Sequence, residues 1–325
     1  NYNVVVGDEA GTALTTGDNN VAVGYGALDL EDTGTDSVAV GYNALTAQNN
    51  DAANHNVAVG SSAGAAVTTG VNNTFIGGLA GDAITTGIRH TALGQGSLST
   101  ETTGRAAVAV GFNALATLNV GSNLESYNVA VGSEAGAAMT VGLRNTIIGG
   151  LAGDALTDAD DNIAIGQGAL STDTLGSKSV AVGRAALATQ NFTTAADTYN
   201  TAVGFQAGTA VTTAVQNTLI GAQVGDALTE GARNTAVGYV ALSSDTRGQY
   251  STAVGYAALF SSNQTTAVNT YNVAVGYNAG GAVTTGLFNT LVGGLSGDAL
   301  TDADYNTGLG YLALSSDTLG STSTA

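Results

Sequence analysis

One motif of the form Asn-x-Ala-Val-Gly recurs along the whole chain and restricts it to repeat architectures. Successive copies of its glycine, here called the repeat glycine, are 17 residues apart, with steps of 19 or 21 residues at four places. Such a period is typical of a stack of equivalent coils, each in contact with its neighbours. The 18 repeat glycines are Gly7, Gly24, Gly41, Gly60, Gly77, Gly94, Gly111, Gly132, Gly149, Gly166, Gly183, Gly204, Gly221, Gly238, Gly255, Gly276, Gly293 and Gly310.

The copies form cassettes of four coils with a period of 72 residues. The four coils differ in sequence, as in YNVAVGSEAGAA, RNTIIGGLAGDAL, DNIAIGQGALSTDTLG and KSVAVGRAALATQ, and are called the first to fourth coils. The N-terminal cassette lacks a second coil, because Gly24 lies in a sequence like that of Gly94. We interpret residues 1–325 as one repeat-array domain and expect it to be a fragment of a longer array, since it ends within a motif.

The residues before each repeat glycine predict a short β-strand. The residue one before is Val, Ile or Leu in every copy and the residue three before is Val, Thr or Ile, so both lie on one face. The residue between them, on the opposite face, is Ala in most copies. We predict an all-β parallel β-solenoid of about 18 stacked coils, with a second short strand in the segment that follows the glycine.

A strand that is apolar on both faces needs a cover on each side. One face is expected to fill the interior of the coil, and the other to meet a further copy of the chain in a homo-oligomer or filament. The candidates for packing between chains are the large residues two before the repeat glycine of each second coil. They are Phe75, Ile147, Leu219 and Leu291.

A polar column is predicted beside this strand, because Asn stands four residues before the repeat glycine in 13 of the 18 copies. Stacked asparagines form hydrogen-bonded ladders. Fourth coils differ, with Ser or Ala at this position.

Composition argues against catalysis and against two kinds of partner. The chain has no Cys and only two histidines, His55 and His90, which we interpret as surface residues. Its Gly-x-Gly matches belong to the repeat, so we predict neither an enzyme nor a cofactor site. With 7 basic and 25 acidic residues, the net charge of −18 disfavours nucleic acid and anionic lipid. No apolar run is long enough for membrane insertion.

The segments NTAVGYVAL, NVAVGYNAG and DSVAVGYNAL resemble the head repeats of YadA-like trimeric autotransporter adhesins and the repeats of phage and bacterial tail-fibre-domain proteins. The resemblance extends over all 18 copies. It implies a left-handed parallel β-roll, three chains packed side by side, and service as a surface fibre or adhesin. The coils here are longer than the repeat of about fourteen residues usual in autotransporter heads.

Two sets of turn acids are candidates for calcium binding, although we interpret them as solvated turn residues. The run Asp158, Asp160 and Asp161 is the best remaining calcium candidate. The second-coil set is Asp82, Asp154, Asp226 and Asp298, and the third-coil set is Glu31, Glu101, Asp173, Asp245 and Asp317.

Aromatic residues directly follow several repeat glycines, where they either bind sugars or partners or fill grooves between chains. Four long connections, at 47–55, 118–127, 190–199 and 263–271, recur once per cassette and vary in sequence. Variable loops on a rigid scaffold suit recognition, and the alternative is that they clasp neighbouring chains. The aromatic residues are Tyr25, Tyr42, Phe112, Phe205, Tyr239, Tyr256, Tyr277 and Tyr311.

The sequence therefore predicts a structural and adhesive fibre shaft that is extracellular, on a cell surface or on a virion, and binds an unknown surface ligand. A phage tail-fibre segment is one alternative. An ice- or mineral-binding solenoid is another, and it requires a flat ladder of Thr at alternating positions.

Overall fold

The computed structural model describes residues 2–121 and 124–325. The chain forms two compact units, Asn1–Asp161 and Asn162–Ala325. Each unit contains nine of the repeat coils, and the described residues contain strands and turns but no helix. The prediction of an all-β parallel solenoid of about 18 coils is therefore confirmed.

In the first unit, each coil contributes one three-residue strand to a parallel sheet. Neighbouring strands pair in register, so that Val108 lies opposite Val129 and Thr91 opposite Val108. The strands are β1 (Val4–Val6), β2 (Val21–Val23), β3 (Val38–Val40), β4 (Val57–Val59), β5 (Thr74–Ile76), β6 (Thr91–Leu93), β7 (Val108–Val110), β8 (Val129–Val131) and β9 (Thr146–Ile148).

The second unit repeats this arrangement and adds four two-residue strands. Its nine main strands are β10 (Ile163–Ile165), β12 (Val180–Val182), β14 (Thr201–Val203), β15 (Thr218–Ile220), β16 (Thr235–Val237), β18 (Thr252–Val254), β20 (Val273–Val275), β21 (Thr290–Val292) and β22 (Thr307–Leu309). The short strands are β11 (Gly176–Ser177), β13 (Ala196–Asp197), β17 (Gly248–Gln249) and β19 (Val268–Asn269), which pair β11 with β13 and β17 with β19.

The middle residue of each main strand points into its own coil. From β2 onward this residue is buried, while the two beside it are half-buried or exposed. Phe75, Ile147, Leu219 and Leu291 are middle residues, and all four are fully buried within the chain. The prediction that they pack between chains was wrong, because the interior of the coil already encloses them.

The interior volume is shared between two positions of the coil. A methyl group at Gly64 or Gly81, four residues after a repeat glycine, would lie 2.8 Å or 2.4 Å from ring atoms of Phe75. In third and fourth coils the same position holds a leucine, buried in every coil but the last, as at Leu98 and Leu115, and the middle strand residue is Ala or, at Gly308, Gly. A large side chain at one position thus requires a small residue at the other.

A second short strand is expected at the Ala-Leu or Ala-Gly-x-Ala segment that directly follows the repeat glycine, but this segment is a series of turns in the described coils. Asn43 and Leu45 have φ of 51° and 49°, a left-handed conformation that a strand does not adopt. The Asn43 amide donates to Tyr25 O at 2.8 Å and the Leu45 amide to Ala63 O at 3.1 Å. Alternate turn residues therefore bond to the preceding and following coils.

The predicted asparagine ladder is present, and most of its bonds join a side chain to the backbone. The backbone N–H of Asn145 donates to Asn128 Oδ1 at 2.8 Å, which links adjacent coils. Asn128 Nδ2 donates to Gly142 O at 2.6 Å, which closes its own coil. Twelve of the 13 asparagines make this second bond, to the residue fourteen positions later.

We predict that Phe75→Ala lowers the free energy of unfolding by about 3–5 kcal/mol, because it leaves a cavity inside the coil. Denaturant unfolding at fixed protein concentration measures the loss. Ile76→Ala is the control, since Ile76 is the adjacent outward residue and is 38% exposed. An equal or smaller loss for Phe75→Ala than for Ile76→Ala would contradict the interior position of Phe75.

Candidate interaction surfaces

The outward residues of the main strands form one continuous uncharged surface of aliphatic residues and threonines on each unit, here called the strand face. It consists of the residues one and three before each repeat glycine, and every one is Val, Ile, Leu or Thr. Ile220 is 40% exposed and Leu93 is 42% exposed. The register of the strands places equivalent residues in two straight columns, at a spacing of about 4.8 Å.

Five of the eight aromatic residues after the repeat glycines pack ring against ring: Tyr25, Tyr42, Tyr239, Tyr256 and Tyr277. The ring centroids of Tyr25 and Tyr42 are 5.5 Å apart, and Tyr256 lies 5.2 Å from Tyr277 and 5.8 Å from Tyr239. Each stacked ring covers a face of its neighbour along the column, so the ring edges and the hydroxyl groups remain available for other contacts. The arrangement favours packing over flat stacking of sugars on these rings.

A second aromatic column, which the sequence analysis missed, lies five residues before the repeat glycines of the second unit. It consists of Tyr250, Tyr271, Phe288 and Tyr305, with successive centroids 5.2, 5.6 and 4.8 Å apart. The Arg233 guanidinium lies 5.4 Å from the Tyr250 centroid. Recurrence of an aromatic residue at one fixed position was the signal that could have revealed it.

The long connections fold back onto the chain that carries them. In 190–199, Ala196 and Asp197 pair with Gly176 and Ser177 of the preceding coil. Strand β19 of 263–271 pairs with β17 in the same way. Isolated bridges join Ala53 to Thr35 and Glu125 to Arg105, while residues 122–123 of the connection 118–127 lie outside the described part. In the three connections that are described throughout, 47–55, 190–199 and 263–271, these intrachain bonds leave the loop tips exposed.

The third-coil acids hold these connections from inside the coil. Asp173 Oδ1 accepts the amide N–H groups of Gly176 at 3.1 Å and Phe192 at 2.9 Å, and Oδ2 accepts from Gln190 at 2.5 Å. The prediction that these acids are solvated was wrong, because backbone donors replace water around the carboxylate. Glu31, Glu101, Asp173 and Asp245 are fully buried, and Asp317 is half-buried.

The second-coil acids are half-buried and differ from the third-coil set. Burial raises the pKa of Asp82, Asp154 and Asp226, since it disfavours the charged carboxylate. One carboxylate oxygen of each of these residues and of Asp298 has no hydrogen-bond partner among the described residues. The acids lie one per cassette, so each carboxylate stands apart from the others of its set.

The calcium candidates are engaged by other groups. Arg144 Nε lies 2.6 Å from Asp161 Oδ1, and its Nη2 lies 3.2 Å from Asp160 Oδ2. The Leu143 amide also donates to Asp160 Oδ1 at 2.8 Å, while Asp158 is exposed. Across residues 2–121 and 124–325, no three His, Asp or Glu side chains are placed to hold one ion.

His90 belongs to the asparagine ladder, so its interpretation as a surface residue was wrong. It is 1% exposed, and its Nε2 lies 2.7 Å from Gly104 O while its Nδ1 accepts the Ala107 amide at 3.2 Å. These bonds require the neutral tautomer with the proton on Nε2, which reproduces the donor and acceptor of an asparagine. Burial is the main cause that lowers the pKa of His90. His55 is exposed.

Together these features define a parallel β-solenoid repeat protein whose outward chemistry is arranged in columns. No pocket opens on the described residues, and none of their segments is a helix long and apolar enough to cross a membrane. No protein-family model, curated protein or solved structure matches the chain.

We predict that His90→Asn removes one source of acid sensitivity. Below about pH 6.5 an unfolded histidine takes up a proton that buried His90 resists, so acidification lowers the stability of the native chain relative to this variant. Urea unfolding of both proteins from pH 7.5 to 5.5 measures the difference in unfolding free energy. His55→Asn is the control, and a difference that does not change with pH would contradict the ladder role.

Proposed function

We propose that the chain is a non-catalytic structural segment of a surface fibre, which associates with copies of itself through the strand face. The observation that carries this proposal is the strand face, which extends along all nine coils of each unit without a charged residue. Exposed apolar surfaces of more than a few hundred Å² are typical of interaction sites.

The size of the strand face supports a stable contact. Nine coils at about 4.8 Å and three residues of width at about 3.3 Å give roughly 43 Å by 10 Å for each unit, or about 430 Å². The two units together supply about 860 Å², close to the ~800 Å² per partner of a standard protein interface. A second copy offers the same columns at the same spacing, so side chains of two coils can interdigitate regularly.

Three finer parts of the proposal rest on the sequence resemblance. These are a homotrimer, a left-handed winding, and an extracellular place on a cell or, as a tail-fibre segment, on a virion. The adhesive or surface-binding role falls to the exposed tips of the long connections, which are positioned by the buried acids. Several such tips on one chain would give a multivalent surface.

We predict that the chain has three times its monomer mass of 31.7 kDa in solution, and that Ile220→Lys reduces this mass. A lysine on the strand face would place an unpaired charge in the contact. Analytical ultracentrifugation measures the mass, with circular dichroism to show that the fold is retained.

Phe260→Lys is the matched control, because Phe260 is 42% exposed, like Ile220 at 40%, but lies among the turns. It should leave the mass unchanged. A native chain that sediments as a monomer would overturn the proposed self-association, and an equal effect of both variants would remove the strand face from it.

A second candidate function is ice binding, which a threonine column on the second unit favours. Thr201, Thr218, Thr235 and Thr252 pair in succession, and Thr290 pairs with Thr307 after Val273 interrupts the column. A column of Val, Ile and Leu runs beside it. Hydroxyl groups that hold water, next to methyl groups that do not compete for it, form a template that repeats from strand to strand.

For this second candidate we predict that the native chain slows ice recrystallisation and that Thr218→Lys combined with Thr235→Lys abolishes the effect. The charged side chains would break the regular order of hydroxyl groups. A microscopic assay of crystal growth in frozen solution measures it, with Phe260→Lys as the control. Unchanged crystal growth in the presence of the native chain would contradict ice binding. Self-association through the strand face would bury the same threonines, so the two candidate functions compete for one surface.

A further inference from the structure

One asparagine of the fourth coils differs from the ladder asparagines in being exposed. It stands eight residues after the repeat glycine in all four fourth coils, at Asn49, Asn119, Asn191 and Asn263. In the last two of these four coils a threonine follows two residues later, in Asn191-Phe192-Thr193 and Asn263-Gln264-Thr265. Asn-x-Thr is the acceptor pattern for N-linked glycosylation, and a sequence match alone is weak.

The loop presents both side chains of the pattern on the outside. Asn191 and Thr193 are exposed while Phe192 between them is 9% exposed. The cause is the buried acid, because the Phe192 amide donates to Asp173 Oδ1 at 2.9 Å and turns this residue inward. The acceptor amide and the threonine hydroxyl, which a transferase reads together, therefore lie on one accessible side.

The second copy of the pattern has the same arrangement. Asn263 and Thr265 are exposed, and Gln264 is 6% exposed. The Gln264 amide donates to Asp245 Oδ1 at 3.1 Å, as the Phe192 amide does to Asp173. The middle residues, Phe and Gln, differ, so the shared geometry comes from the backbone bond to the acid.

The acceptor nitrogens are available for reaction. Among the described residues Asn191 makes one side-chain hydrogen bond, in which its Oδ1 accepts from Thr174 at 3.4 Å, and Nδ2 has no partner. Ladder Asn200, by contrast, donates from Nδ2 to Gln190 Oε1 at 2.9 Å and to Ala214 O at 2.7 Å. The loop tip beyond Asn191 consists of exposed small residues, which leaves room for a sugar.

We propose that Asn191 and Asn263 are acceptor sites for N-linked glycosylation. The donor is an activated sugar, such as a nucleoside diphosphate hexose. Asn Nδ2 forms a bond to the anomeric carbon, the bond from that carbon to the diphosphate breaks, and the nucleoside diphosphate leaves with the electron pair while the amide loses one proton. Each site gains one hexose residue, and the two glycans lie four coils apart, about 19 Å along the stack.

The third match, Asn72-Asn73-Thr74, should not react in the folded chain. Asn73 is a buried ladder residue whose amide donates to Asn56 Oδ1 at 2.9 Å. Thr74 belongs to β5 and pairs with Val57 and Thr91, so this segment cannot leave the sheet to enter a transferase. It serves as an internal control for accessibility.

The test is transfer of hexose to the folded chain by a purified transferase that reads Asn-x-Thr, followed by intact mass and peptide mapping. We expect two hexoses per chain, one after Asn191→Gln or Asn263→Gln, and none after both. A synthetic peptide of residues 188–197 shows that the enzyme is active.

The proposal is overturned if the peptide is modified but the folded chain is not, or if the double variant still gains hexose. Modification of Asn72 in the folded chain would also contradict the proposal, because exposure of the pattern in a loop would then not determine which asparagine is glycosylated. None of these outcomes depends on self-association, since the loop tips lie apart from the strand face. The extracellular location proposed above matters only for where the chain meets a transferase.

Discussion

The approach of one repeat glycine to the next is the constraint on which the structure depends. Their φ values lie between 126° and 142°, a range that other residues rarely adopt. In sixteen copies, a methyl group at this position would lie 2.2–2.7 Å from the carbonyl oxygen of the following repeat glycine. No side chain fits in that space. The glycine column therefore fixes the distance and the register between coils, and every other column of the molecule inherits its alignment.

The cassette of four coils has a physical origin in how the interior is filled. Second coils place a large residue in the strand and glycine among the turns, whereas third and fourth coils reverse this, as Phe75 and Leu98 show. Third coils also bury an acidic residue, and the oxygen atoms of its carboxylate need hydrogen-bond donors. The longer fourth coil supplies them, since the amide of Phe192 reaches Asp173. The additional residues of the fourth coil are thus the means by which a buried carboxylate is satisfied.

The sequence was sufficient to predict the features that depend on the spacing of the repeat. It was insufficient where residues of the same type occupy both buried and exposed positions. The strand, the ladder and the coil number follow from spacing. Both faces of the strand are apolar, so composition alone does not show which face points into the coil. The narrow interior suits alanine, which is the criterion that identifies the inward face. Phe75 lies on that face and was therefore misplaced. The acids were misplaced because backbone N–H donors leave no trace in a sequence. His90 could have been placed correctly, because it stands where thirteen other copies have Asn.

The same alignment explains why the outward chemistry is one of surfaces and not of pockets. A residue at a fixed place in the repeat recurs about every 4.8 Å, so a weak contact made by one coil is repeated along a line. The strand face and the aromatic columns repeat in this way, with one residue or ring per coil. The loop tips recur only once per cassette, at about 19 Å, and each is held by its own buried acid. They can therefore vary in sequence without disturbing the stack, which makes them the part of the molecule where specific recognition or modification can differ from one cassette to the next.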